Sequence, residues 1–304
     1  MVQHSTPEYA DERTARIALS VLAPLTSRDL SVSVAARGAT QILAAMLSRL
    51  DADTAAALSG QVRRAIDTAG RIQARVLMPG DDEWPGTIAA LNTDEAATFG
   101  RTGAPLCLWV QGAQHLAKQL SRSMTVTGTA AASADGQHIA AGLAEDLAAA
   151  GWTVAARSTS GIDRAALLGA ARHTDAASCV MVAACGLDLA HQHPNDPTIG
   201  WISRNGLLVS PFPPGHAATL FSRMHSQGVL ASTTGATLIV EAPVGSRAVR
   251  AARLAAALGR PAMATPGPAS AATWAGGHAL IRDHGAHLVS SATDAQTAYA
   301  TTPT

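Results

Sequence analysis

Apolar and polar positions along this chain follow one period near its start and another after its middle. Over Tyr9–Leu22, Thr40–Leu50 and Asp53–Ala69 apolar residues return every three or four positions, the spacing of one helix face. Asp53 ahead of Thr54-Ala55-Ala56 reads as an N-cap and Gly70 as a stop. Arg75 to Pro85 is punctuated by Pro, Gly and Asp and reads as a loop, and a strand-like Leu106–Val110 follows. From Ser123 onward short β-branched runs alternate with helical stretches. Strands are expected at Met124–Thr127, Thr153–Ala156, Ser178–Ala183, Leu207–Ser210, Thr237–Glu241, Ala262–Thr265 and His287–Val289. Helices are expected at Gln137–Ala150, Ile162–Ala171, Ser246–Leu258 and Gly277–Arg282. Strand, helix, strand at this spacing implies right-handed crossovers and an α/β fold with a doubly wound, mostly parallel sheet. The pattern divides the chain into a helical domain, 1–77, an α/β domain, 78–300, and a tail, 301–304. The stretch after Ser290 reads as polar, and no internal repeat is visible.

Composition narrows the partners. The chain has 304 residues, with 22 basic and 22 acidic side chains, a net charge of zero. Residues 1–120 hold 11 basic and 12 acidic side chains and the remainder 11 and 10, so neither part hides a basic excess. Binding of a polyanion by bulk charge is excluded, and any such binding must come from a local cluster. Every basic residue except Lys118 is arginine, the side chain suited to bidentate phosphate recognition, although a GC-rich coding sequence produces the same bias. Alanine dominates the 47% apolar fraction and aromatics are 3%, which implies a core of closely packed helices and small-residue strands. Cys107, Cys179 and Cys185 form no paired metal spacing and fit a reducing cytoplasm. Glu8, Asp11, Glu12 and Arg13 interrupt any signal-peptide layout. The longest uncharged apolar run, Ala176–Leu187, is well short of the ~20 residues a membrane-spanning helix needs. A soluble, cytoplasmic protein without a membrane partner is expected.

In a doubly wound sheet ligands bind beyond the carboxyl ends of the strands. The first such end, Val126-Thr127-Gly128-Thr129, does not carry the dinucleotide fingerprint, and no Walker loop occurs. No cofactor is therefore expected. The second, Arg157-Ser158-Thr159-Ser160-Gly161-Ile162-Asp163, leads hydroxyls and a glycine into a helix, as an anion cradle or as an N-cap and tight turn. Glu241, closing an apolar strand, suits a ribose or arginine contact or a helix cap equally. His191, His193 and Asp196 resemble a metal cluster on paper but lack a second cluster, so no metal is assigned. Cys185 reads as a small buried residue rather than a nucleophile, and Asp163 as a first-turn acid. The five tryptophans abut apolar runs and read as core.

Several motifs recur in a telling order: Asp82-Glu83-Trp84-Pro85, Ala104 to Gly112, Gly161-Ile162-Asp163, Cys185-Gly186-Leu187-Asp188, Gly206 to Ser210 with Pro213-Pro214-Gly215, Val240-Glu241-Ala242, Gly259-Arg260-Pro261, Pro266-Gly267-Pro268 and Ala275 to Arg282. Together they cover nearly the whole chain, and their order resembles the DNA-processing protein A family (DprA/Smf), its actinobacterial members especially. The resemblance implies a small helical (SAM-like) N-terminal module joined to an extended Rossmann-like domain, with no C-terminal winged helix here. It implies non-enzymatic binding of single-stranded DNA, a homodimer, and delivery of the strand to the recombinase RecA in transformation or recombination.

Departures from the family pattern fall where DNA would be held. The family's Gly-Ser-Arg becomes Gly128-Thr129-Ala130, Arg157 replaces a glycine, and its Arg-Asn-Arg falls on Ser226-Gln227-Gly228. A slide of a few residues brings Arg223 and His225 into that loop instead. Ser246 reads as the N-cap of a helix with Arg247 and Arg250 in or near its first turn. The expected DNA- or phosphate-binding residues are Gly128, Thr129, Arg157, Ser158, Thr159, Ser160, Gly161, Gly186, Arg223, His225, Ser246, Arg247 and Arg250, with Arg157, Arg223, Arg247 and Arg250 as a relocated patch. The rival expectation is a Rossmann-like domain that binds a nucleotide or nucleotide signal and has lost DNA. A phosphoribohydrolase reading fails because nothing matches Pro-Gly-Gly-x-Gly-Thr-x-x-Glu.

Overall fold

A computed structural model describes Tyr9 and residues 11–100, 102–157, 160–173, 179–190 and 197–302. Four helices open the chain: α1 (Glu12–Leu22), α2 (Arg28–Arg37), α3 (Ala39–Leu47) and α4 (Ala52–Arg71). Strand β1 (Ala74–Leu77), a 3-10 turn (Gly86–Asn92), α5 (Asp94–Ala97), β2 (Leu108–Gln111) and α6 (Leu116–Ser121) lead into the α/β region. That region runs β3 (Ser123–Thr127), α7 (Ala134–Ala149), β4 (Thr153–Arg157), α8 (Ile162–Ala170), β5 (Cys179–Val182), α9 (Leu187–Ala190), α10 (Pro197–Asn205) and β6 (Leu207–Ser210). It continues with α11 (Leu220–Thr233), β7 (Ala236–Ile239), α12 (Arg247–Ala257), β8 (Ala262–Ala264), α13 (Ala275–His284), β9 (His287–Leu288) and α14 (Ala292–Thr301).

Among the described residues nine strands form one sheet in the order β1-β2-β6-β5-β4-β3-β7-β8-β9. The β1–β2 and β2–β6 pairings are antiparallel, and the other pairings are parallel. The order reverses between β3 and β7, so the switch point lies at Thr127 and Ile239. Side chains alternate across the sheet as a period of two requires. Cys179 and Met181 of β5 join the core with α1, α3, α4, α7 and α8, whereas Val180 and Val182 join Leu91, Leu116, Leu230 and Leu254 on the other face. Both faces are covered, which is why the strands read as unbroken apolar runs. Alanine abundance has a packing consequence: a Cβ on Gly169 of α8 would lie 2.1 Å from the Ala141 carbonyl oxygen of α7.

Four expectations need correction. Arg75–Leu77, the start of the stretch read as loop, belong to β1, which pairs with β2 from Ala74 opposite Gln111 to Leu77 opposite Leu108. Asp51, not Asp53, caps α4 by accepting from the Thr54 N–H, and the helix runs through Gly70 to Arg71. The polar stretch after Ser290 contains α14, whose Tyr299 meets Trp152 edge to face at 4.9 Å. The segment expected as an arginine-bearing loop is helix α11, opened by a Thr219–Ser222 capping box and buried from His225 to Thr233.

Candidate nucleic-acid interface

The switch point is filled by the chain itself. Glu241 lies two residues past β7 and is 1% exposed. Its Oε2 accepts from the Ser133 backbone N–H and from Ser133 Oγ, both at 2.9 Å, at the start of α7. Of the roles open to Glu241, helix capping is the one found, and it puts a carboxylate where a phosphate would otherwise sit. Glu241 Oε1 is buried without a hydrogen-bond partner. A Cβ on Gly136 would lie 2.1 Å from Oε2, so this space is closed.

The neighbouring backbone donors are also engaged. The Thr129 N–H donates to the Glu241 carbonyl at 2.7 Å, and the Ile162 N–H to the Thr129 carbonyl at 3.1 Å. Gly128 is buried against Glu241 and Ile162, and Gly161, at φ +71°, faces the Thr129 and Ala130 carbonyls. These glycines therefore serve close approach of the two loops rather than a phosphate cradle. Gly186 is buried with its N–H donated to the His216 carbonyl, and the Ser246 hydroxyl accepts from the Val249 N–H as an N-cap. The Ser160 hydroxyl remains exposed beside the Ala130 carbonyl at 3.4 Å. Ser158, Thr159, His191, His193 and Asp196 lie outside the described residues.

Arg157 also departs from its expected place in a phosphate site. It is buried, with Nη2 2.5 Å from Asp163 Oδ2 and Nε 2.9 Å from Oδ1. Thr127 Oγ1 donates to the same carboxylate at 2.9 Å. Burial works against the charged guanidinium, but the Asp163 carboxylate outweighs it and holds the arginine above its ordinary value. This pair ties β3, β4 and α8 together and presents no charge to solvent. His225 departs from it too: its ring is 0% exposed, with Nε2 3.1 Å from the Gly103 carbonyl oxygen. Desolvation pulls its pKa down to about 4, so it is neutral at neutral pH and brings no charge to a phosphate. Cys185 is half-buried, and desolvation, aided by the Asp188 carboxylate, pushes its thiol up to about 11, which keeps it protonated.

Arg223, Arg247 and Arg250 are exposed. Arg223 stands in the first turn of α11; Arg247 opens α12 and Arg250 follows one turn later. Arg247, Arg250 and Phe221 line one cavity of about 310 Å³ between the α1–α2 connection, the turn before α5, α11 and α12. Arg250 donates to the Phe99 carbonyl and lies over the Phe99 ring, 5.8 Å from its centre, and Arg253 lies over the same ring at 5.9 Å. Among the described residues none of Arg223, Arg247, Arg250 and Arg253 has a carboxylate partner. A neutral chain thus carries exposed arginines without carboxylate partners, two of which, Arg247 and Arg250, share one cavity. Arg247 reinforces the positive end of α12 instead of opposing it. Phe221, 63% exposed at the same cavity, is an aromatic that the tryptophan pattern does not mark. Its available signal was a phenylalanine two positions ahead of an arginine, just after a Pro-Gly loop. Trp109, Trp152 and Trp274 are buried in the core, as expected.

The layered fold defines an α/β Rossmann-like protein with a helical N-terminal region. The family model for DNA recombination-mediator protein A matches residues 75–300, and the chain belongs to that family. Putative DNA processing protein DprA sequences from two Mycobacterium tuberculosis strains are each 35% identical over 240 residues, covering 76% of this chain. The chain covers 61% of the length of these curated relatives. The X-ray structure of DNA processing protein A from Streptococcus pneumoniae matches with a TM-score of 0.68 at 22% identity, over 93% of this chain and 92% of that one. DNA processing protein A from Helicobacter pylori, described with its single-stranded DNA binding mode, matches at 0.62 and 19% identity, over 74% of this chain and 95% of that one. At these identities the two structures speak for the fold. No single helix among the described residues is long and apolar enough to cross a membrane.

Proposed function

We propose that this chain is a DNA-processing protein that binds single-stranded DNA non-covalently, with Arg223, Arg247 and Arg250 meeting phosphates and Phe221 offering a stacking face. The observation carrying this reading is a pair of arginines without carboxylate partners, Arg247 and Arg250, at one cavity with the exposed Phe221 ring, the pairing that single-strand binders use. Arg223 is exposed on the same helix as Phe221. Family membership supports it, as does the strand-binding mode described for the Helicobacter pylori protein. Dimerisation, delivery of the strand to a RecA-type recombinase and a cytoplasmic setting belong to the same reading. The free Cys107, Cys179 and Cys185 suit a reducing compartment. The rival nucleotide reading loses support at the switch point, where the Glu241 carboxylate occupies the helix start.

Fluorescence anisotropy with labelled single strands across a salt series tests the proposal. Wild type should bind, and Arg223→Ala/Arg247→Ala/Arg250→Ala should bind more weakly with a flatter dependence on salt. Equal binding and equal slope for the two proteins would overturn this assignment of the site.

A further inference from the structure

Two exposed arginines of α12 meet at a single ring. Arg250 and Arg253 stand one helical turn apart, and their guanidinium carbons lie 5.8 and 5.9 Å from the centre of the Phe99 ring. Like charges at this spacing repel each other, and among the described residues neither has a carboxylate partner. Attraction to the ring face offsets that repulsion, and the Phe99 carbonyl accepts from Arg250. A guanidinium resting over an aromatic face still offers planar N–H edges, in the fork that suits a phosphate.

The ring is itself held in place. The Phe99 N–H donates to the Ala96 carbonyl of α5 at 2.9 Å, and the side chain packs, partly buried, against the core face that includes Leu91 and Leu254. The segment around it is tied to the helical N-terminal region. Arg28 of α2 meets Asp94 at 2.6 Å and donates to the Asn92 carbonyl at 2.7 Å, and Ser27 bridges Thr102. Phe99 borders the cavity of Arg247 and Arg250 towards α11, and a smaller hollow of about 190 Å³ with Arg253 and His284 towards α13. Arg247, Arg250 and Arg253 thus climb α12 in three-residue steps of about 4.5 Å, passing from one groove to the other over Phe99.

We propose that the phosphate path of a bound single strand crosses α12 over Phe99 and reaches Arg253, with Phe99 as the positioning residue that fixes Arg250 and Arg253 for successive phosphates. Phosphates along the two guanidiniums remove the repulsion that the ring alone offsets. The inference rests on the strand-binding reading above and deepens it. It adds Arg253 to the contacts and gives the helical region a part in binding, through the segment that Arg28 anchors.

Anisotropy with a labelled dT strand across a salt series, on the full chain, is the test. Arg253→Ala, at an exposed position, should weaken binding and flatten the slope of log affinity against log salt by about 0.7, the share of one single-strand phosphate. Phe99→Leu keeps the apolar packing and loses the ring, so affinity should fall about two- to fivefold, with the slope kept because both arginines remain. Phe99→Tyr keeps the ring and should bind as wild type does. Thermal midpoints of all three are measured alongside; if Phe99→Leu melts early, Arg253→Ala decides the path. Wild-type affinity and slope in Arg253→Ala, wild-type affinity in Phe99→Leu, or equal losses in Phe99→Leu and Phe99→Tyr overturn the path over Phe99 while strand binding stands. Absence of wild-type binding to the strand overturns both readings together.

Discussion

His225 illustrates how burial redirects a side chain whose type suggests a ligand contact. Its imidazole stands edge to face with Phe212, with ring centres 5.6 Å apart, and meets the Gly103 carbonyl beneath α2. The nearby His216 disfavours a second charge. A histidine held at about 4 when folded binds its proton near 6.5 when unfolded. Unfolding therefore takes up a proton in that window, and stability falls as pH drops from 6.5 towards 4, by up to about 3 kcal/mol. Thermal melts at stepped pH should show this loss, and His225→Gln should flatten it. Arg157 and Asp163 pose the complementary case of a paired buried charge. Asp163→Ala leaves the guanidinium with only the Thr127 hydroxyl, and should cost about 3–5 kcal/mol in urea unfolding.

At the scale of elements, the loops after β3 and β4 act as one unit because their backbones touch. Gly161→Ala forces a Cβ to within 2.3 Å of the Thr129 carbonyl oxygen at a left-handed φ. The left-handed backbone alone should cost roughly 1–2 kcal/mol, and the clash adds to it, so the urea midpoint should fall clearly below that of wild type. Helix α11 shows why an element can escape a periodicity reading. Ser226, Gln227, Ser232 and Thr233 are buried on a helix enclosed almost all round, so no apolar stripe marks it. Ser226 Oγ donates to the Ala183 carbonyl and Thr233 Oγ1 to the Val229 carbonyl, which satisfies these hydroxyls without water.

For the whole molecule, zero net charge sets the expected salt response. On the proposed reading, with no bulk basic excess, strand affinity draws on Arg223, Arg247 and Arg250. Three phosphate contacts should give a slope of log affinity against log salt near −2, at about −0.7 per contact for single strands. A much steeper slope in the anisotropy series would locate further contacts beyond Arg223, Arg247 and Arg250.

Read along the chain, α1, α3, α4, α7, α8, α12 and α13, strands β2 to β9 and the α/β class were legible, since period and β-branched runs report burial locally. The N-cap of α12 at Ser246 was equally plain, because a cap acts within four residues. The edge strand β1, the helices α11 and α14, and the roles of Glu241 and Arg157 were not. The strand β1, α14 and the role of Glu241 depend on partners distant in sequence: β2 for Ala74–Leu77, Trp152 for Tyr299 and Ser133 for Glu241. Arg157 instead meets Asp163 six residues on, across the turn from β4 to α8. Sequence by itself determined the layered α/β architecture and supplied enough arginine for a local cluster, because those follow from short-range pattern and residue type. Only the tertiary structure decided which arginines face water, that the switch point is closed by its own carboxylate, and that Phe99 and Phe221 share a cavity with Arg247 and Arg250. Exposure and ion pairing are properties of the packed chain, set by which side chains the fold brings within a few ångströms of one another.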